Sequence, residues 1–152
     1  MLRTTAATLA ISLALGGPIA AAALETSAGP VAITPVATGL TEPWGIAFLP
    51  DGRALVTERD GRLLLLGGGQ ATAVTGVPEV VAEGQGGLLD VMVPRDFATS
   101  REVFLSFAKA QARGAGTALA VGRLSGDGAR LEDVRVIFEM TDGNSGGRHF
   151  GS

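Results

Sequence analysis

The chain has 152 residues, with 23 glycines, 7 prolines, one histidine and no cysteine, and a formal charge of -3. The lack of cysteine excludes a disulfide scaffold, a thiolate metal site and a cysteine nucleophile. Acidic and basic residues are interspersed without a basic stripe, which argues against a nucleic-acid partner, and the glycine content favours tight turns over long helices.

Residues 1–23 have the grammar of an export signal. Arg3 supplies a positive start, Ala6 to Leu15 is a short apolar core, and Gly16-Gly17-Pro18 breaks it ahead of small-residue cleavage positions at Ala22 or Ala23. A membrane anchor is the alternative, but the run is Ala-rich, interrupted by Gly and Pro, and barely reaches the roughly 20 residues a span needs. The sequence therefore predicts cleavage, no membrane span after it, and a periplasmic or secreted destination. A cysteine-free chain offers oxidation nothing to act on there. Residues 24–38 read as a linker and entry strand, with Glu25 to Pro35 the Pro- and Ala-bearing linker.

From residue 39 the pattern is short apolar runs punctuated by Gly. Trp44 to Leu49 ends at Pro50-Asp51-Gly52, Arg53 to Glu58 ends at Asp60-Gly61, and Arg62 to Leu66 follows. Two Asp-Gly turns between β-compatible runs predict a three-stranded meander. No stretch of a dozen residues here escapes a Gly or Pro, so helix is excluded. A second block has the same form, with predicted strands over Gly87–Val93, Glu102–Ala108, Thr117–Leu124 and Leu131–Met140.

The runs at Gly45 and Gly87 open equivalent units roughly 40 residues apart, the spacing of β-propeller blades. The fold expected is thus all-β. Blade one covers about 39–80, blade two about 81–142, and residues 143–152 start a third. Propellers need about four to eight blades, so the chain reads as the N-terminal part of a larger propeller. A small two-sheet sandwich is the alternative; it would explain the length but not the repeat.

In a propeller, loops entering the innermost strands line one end of a central channel. Two loops fit that place: Glu83-Gly84-Gln85-Gly86-Gly87, and Gly146-Gly147-Arg148-His149-Phe150-Gly151. The glycines let backbone come close to a planar ligand, while Gln85 and His149 supply an amide and an imidazole. Imidazole has the unperturbed pKa nearest neutrality, which makes His149 a candidate general base. Trp44, in the equivalent loop of the first unit, reads as a packing residue, and Arg59 and Arg62 as a solvated hairpin end. Glu42, Glu83, Asp90 and Asp142 lack the spacing of a cation loop, and no metal ligand is assigned.

Taken in order, Gly39 to Gly52, Leu55 to Arg59, Gly84 to Val91, Gly126-Asp127-Gly128 and Gly146 to Ser152 resemble the start of a sugar dehydrogenase dependent on pyrroloquinoline quinone (PQQ), of the soluble glucose, aldose sugar or glucose/sorbosone dehydrogenase family. The resemblance runs from about Gly39 to the last residue. It implies a six-bladed propeller that holds PQQ in its channel, with calcium supporting the cofactor and the fold. It also implies an aldose sugar substrate, with His149 taking the C1 hydroxyl proton as hydride moves to the quinone, and Gln85 beside substrate and cofactor. Arg148 departs from the family pattern, in which glucose-oxidising members carry an acidic residue before the histidine. The residues that clamp the cofactor and most calcium ligands belong to later blades, so this chain alone is expected to be inactive. Which sugar is oxidised and what accepts the electrons stay open, and a non-catalytic propeller binding a ligand or partner through its channel is the alternative function.

Overall fold

The computed structural model describes residues 22–151. The expected export signal lies outside the described residues except for Ala22 and Ala23, which belong to a strand. The chain divides into two compact units, the first ending at Val36 and the second starting at Ala37. Among the described residues no helix is long and apolar enough to cross a membrane.

In the first unit, β1 (Ala22–Thr26) pairs antiparallel with β2 (Gly29–Ile33). A strand is expected within residues 24–38, but the stretch from Glu25 to Pro35 forms most of this hairpin rather than a linker. Leu24 stands opposite Val31, and the Thr26 hydroxyl donates to the Gly29 carbonyl at 2.7 Å, closing the turn locally.

The second unit holds two four-stranded antiparallel sheets, each with its strands in chain order. The first comprises β3 (Pro43–Phe48), β4 (Ala54–Glu58), β5 (Arg62–Gly67) and β6 (Gln70–Val74). The second comprises β7 (Leu88–Met92), β8 (Glu102–Ala110), β9 (Ala115–Leu124) and β10 (Leu131–Glu139). The first sheet has one strand more than the sequence predicts. Only Val74 among residues 70–74 is buried, and β6 pairs with β5 along its whole length from Gln70 to Val74. One turn of helix, α1 (Phe97–Ser100), joins β7 to β8 and buries Phe97.

The alternation predicted for β8 is real: Val103, Leu105 and Phe107 enter the main core. They meet Ala47, Leu49, Leu55, Leu63 and Leu65 from the first sheet, together with Ala118, Ala120 and Leu124 from β9. Both sheets also present apolar side chains on their other side. On the far face of the first, Ala54, Val56, Leu64 and Leu66 form a second cluster packed by Ala37 and Leu40. On the far face of the second, Met92 is opposite Phe104 and Phe138 opposite Leu119, with Met92 and Phe138 about half exposed. A two-layer sandwich alternates apolar-in with polar-out; these sheets carry large apolar side chains on both sides, beside Glu102, Ser106 and Arg123 on the far face of the second.

Hydrogen bonds lace the sheets together at both ends. The buried Thr57 hydroxyl on β4 donates to the Leu89 carbonyl at 2.5 Å and accepts the Gly45 amide at 2.9 Å. The Leu88 amide donates to the Arg59 carbonyl at 3.0 Å. At the far end Thr75 donates to the Ala129 carbonyl at 2.9 Å and accepts from the Leu131 amide at 2.8 Å. β3 and β7 run so close that a Cβ on Gly45 would lie 3.1 Å from the Asp90 Cα.

Candidate functional site

The Gly-rich loop before β7 is built by close approach. Gly87 has φ +145, and a Cβ there would sit 2.1 Å from the Arg59 carbonyl oxygen that the Leu88 amide reaches. Gly84 has φ +58, and its Cβ would lie 2.3 Å from the Gly147 carbonyl oxygen. Only glycine allows both the left-handed backbone and the contact. Between them stands Gln85, its side chain exposed.

Gln85 grips the segment that carries His149 at two points. Its backbone amide donates to the Gly147 carbonyl at 2.8 Å, and its side-chain Oε1 accepts the His149 amide at 3.0 Å. From the other side Asn144 Nδ2 donates to the Arg148 carbonyl at 3.1 Å, while Asn144 itself exchanges backbone hydrogen bonds with Ala115. The Gly151 amide ends the segment on the Thr117 hydroxyl at 3.2 Å. His149 is held with φ +63, a left-handed conformation uncommon for a residue other than glycine. Its imidazole is exposed.

The two loops singled out in the sequence therefore meet, although they are 64 residues apart at the contact. The contact runs from the Gln85 amide to the His149 backbone rather than to its ring. Residues 143–151 contain no strand, so the part expected to open a third unit is an irregular segment stitched to β9 and to the Gln85 loop. Beside it lies a groove of about 280 Å³ lined by Glu83, Asn144, Gly147 and Phe150.

Two expectations need correcting. Arg59 does not form a solvated hairpin end. Its guanidinium ion-pairs with Glu42 at 2.9 Å and donates to the Ala82 and Gly86 carbonyls of the Gln85 loop at 3.3 and 3.2 Å. Arg62 does stay exposed at the hairpin end, where it pairs with Asp60 and with Glu58, whose carboxylate is fully buried and also accepts the Thr41 amide at 2.5 Å. Trp44, expected to pack, is half exposed on β3. No group of three metal-ligating side chains gathers among the described residues.

Residues 40–152 match the family model for glucose/sorbosone dehydrogenases. The chain is similar to the aldose sugar dehydrogenase YliI of Escherichia coli, at 46% identity over 116 residues, which cover 74% of this chain and 31% of that protein. Among solved structures it is similar to a glucose dehydrogenase at 52% identity and TM-score 0.71, over 74% of this chain and 34% of that one. It is also similar to the PQQ-bound form of an aldose sugar dehydrogenase from Streptomyces coelicolor, at 30% identity and TM-score 0.61, over 69% of this chain and 32% of that one. The chain thus spans about a third of the length of these relatives.

Proposed function

This chain belongs to the glucose/sorbosone dehydrogenase family, and from that premise we propose that the whole protein is an exported, PQQ-dependent enzyme that oxidises an aldose sugar at C1 to the lactone. The two four-stranded sheets are then the first two blades of a six-bladed propeller, and residues 143–151 lead towards a third. The large apolar side chains on their far faces favour this arrangement over a closed two-layer domain.

The observation that carries the reading is the meeting of Gln85 with the His149 segment. The two loops that carry this exposed amide and exposed imidazole meet with their backbone kept bare at Gly84 and Gly147. That arrangement suits one side of a site for a flat ring. When bound, PQQ supplies the acceptor for the two electrons that leave with the C1 hydrogen.

His149 takes the C1 hydroxyl proton on an imidazole nitrogen. Because Gln85 Oε1 is already committed to the His149 amide, the Gln85 side chain turns its Nε2 hydrogens to the ligand as donors. The held backbone keeps the base in one place relative to the sugar, which is where orientation lowers the barrier. Calcium supports the whole protein without any ligand assigned to this chain. The 152-residue chain by itself offers one side of the cage and does not turn over.

The test is dye-linked oxidation of glucose and other aldoses by the full-length protein with PQQ and calcium. His149→Ala should lower the rate about 10²–10⁴-fold, the usual contribution of a general base. A fall of less than about threefold would remove His149 from that role. Steady ligand binding without any dye reduction would favour a non-catalytic propeller instead.

A further inference from the structure

We propose that Arg59 is the positioning residue of the Gln85–His149 pair, an inference that rests on reading those two residues as the site. Arg59 belongs to the first sheet's β4–β5 turn, whereas everything its side chain holds beyond Glu42 lies in the loop before the second sheet. Its guanidinium is used on two edges at once. Nε and Nη2 face the Glu42 Oε2 at 3.2 and 2.9 Å, which turns Nη1 onto the loop. There Nη1 reaches the carbonyls of Ala82 and Gly86 at 3.3 and 3.2 Å, with Gly84 at 3.5 Å. These acceptors bracket Gln85 on both sides.

The main chain of Arg59 reinforces the grip. Its amide donates to the Glu42 carbonyl at 3.1 Å, and its carbonyl receives the Leu88 amide at the start of β7. Arg59 is thus joined to the loop by side chain and backbone, and the loop is joined through Gln85 to Gly147 and His149. A planar fork can pair with a carboxylate along one edge and with carbonyls along another, which a lysine ammonium cannot reproduce. The ion pair itself is partly exposed and of little worth to stability, so its use is geometric. Order passes from Glu42 to Arg59, to the loop, to the His149 backbone.

Hydrogen–deuterium exchange of the full-length protein tests this without activity. Arg59→Met should speed exchange in peptides covering 82–88 and 143–151 by about tenfold, the effect of losing charged hydrogen bonds on local opening. Peptides from β8 and β9 should stay unchanged. Arg59→Lys, which keeps the charge and loses the fork, should behave closer to Met than to wild type. Glu42→Gln, a milder change that serves if Arg59→Met does not fold, should raise exchange in the same two peptides by about threefold. Turnover with Arg59→Lys should lose kcat more than it raises KM. Unchanged exchange at 143–151, or a uniform rise across β8 and β9, would overturn the proposal. If His149→Ala kept full activity while the two peptides still loosened together, the coupling would stand and the reading of the site would fall.

Discussion

The side-chain oxygen of Gln85 accepts the amide proton of His149 at 3.0 Å, and the Gln85 amide gives its own proton to Gly147 at 2.8 Å. One residue therefore both belongs to the candidate site and holds its other member in place. Gln85→Glu would keep the acceptor and remove the Nε2 donors, whereas Gln85→Ala would remove both. The expected result in the full-length enzyme is a loss of kcat/KM for each, of about tenfold or more. Faster amide exchange at residues 147–149 is expected only in Gln85→Ala. Steady-state kinetics and exchange measured on the same two variants separate the ligand contact from the support.

Gly84 faces the Gly147 carbonyl at a distance no Cβ can share, and its φ of +58 disfavours any other residue. Gly84→Ala should displace the 147–149 segment and cost about 1–3 kcal/mol from strain and clash together. Gly52, with open space where its Cβ would point but φ +84, is the comparison: Gly52→Ala should show the backbone cost without loss of activity. Thermal melts and dye-linked rates of both variants make the check.

Thr57 lies wholly buried where the two sheets meet, its hydroxyl satisfied by Leu89 on one side and Gly45 on the other. Thr57→Val has nearly the same shape and leaves a buried carbonyl and a part-buried amide unpaired. It should destabilise by about 2 kcal/mol or more, because an orphaned buried group costs about 1–3 kcal/mol. Thr57→Ser, which keeps the hydroxyl, should cost only about 1 kcal/mol for the missing methyl. Urea denaturation midpoints distinguish the two.

The Asp127 carboxylate in the β9–β10 turn is held below the usual range, first by the Ser125 hydroxyl and then by the Ala129 amide. A depressed folded value means that its contribution is present above the unfolded value of about 3.9 and is lost as pH falls through the lower folded value. Asp127→Asn should therefore lower stability slightly at pH 7 and converge on wild type as the pH falls below about 4. Melting temperatures over that range decide it. Since the group is fully exposed, the effect should be small.

Much of the β structure was legible in sequence because its causes are local. Asp51-Gly52 closes β3–β4 with the Asp51 carboxylate accepting the Arg53 amide at 3.0 Å, and Ser125 to Gly128 closes β9–β10 in the same way. Turn chemistry of this kind acts over three or four residues. β6 was not legible, because residues 70–74 bury only Val74 and show their strand character in the pairing with β5. The hairpin of β1 and β2 hid behind Pro30 and the alanines, which look like linker until the two runs are laid antiparallel.

From the residues alone came the all-β class, the two repeated units, and the choice of Gln85 and His149 as the polar groups to watch. The tertiary structure alone decided that the amide of one would hold the backbone of the other, and that Arg59 would reach across to their loop. The physical reason is the nature of the acceptors. Arg59 binds backbone carbonyls, which every residue has, so no side chain at positions 82 to 86 announces the partnership. Which carbonyls it meets depends on how closely β3 and β4 pack against β7, a distance that belongs to the assembled sheets and to no segment of the chain.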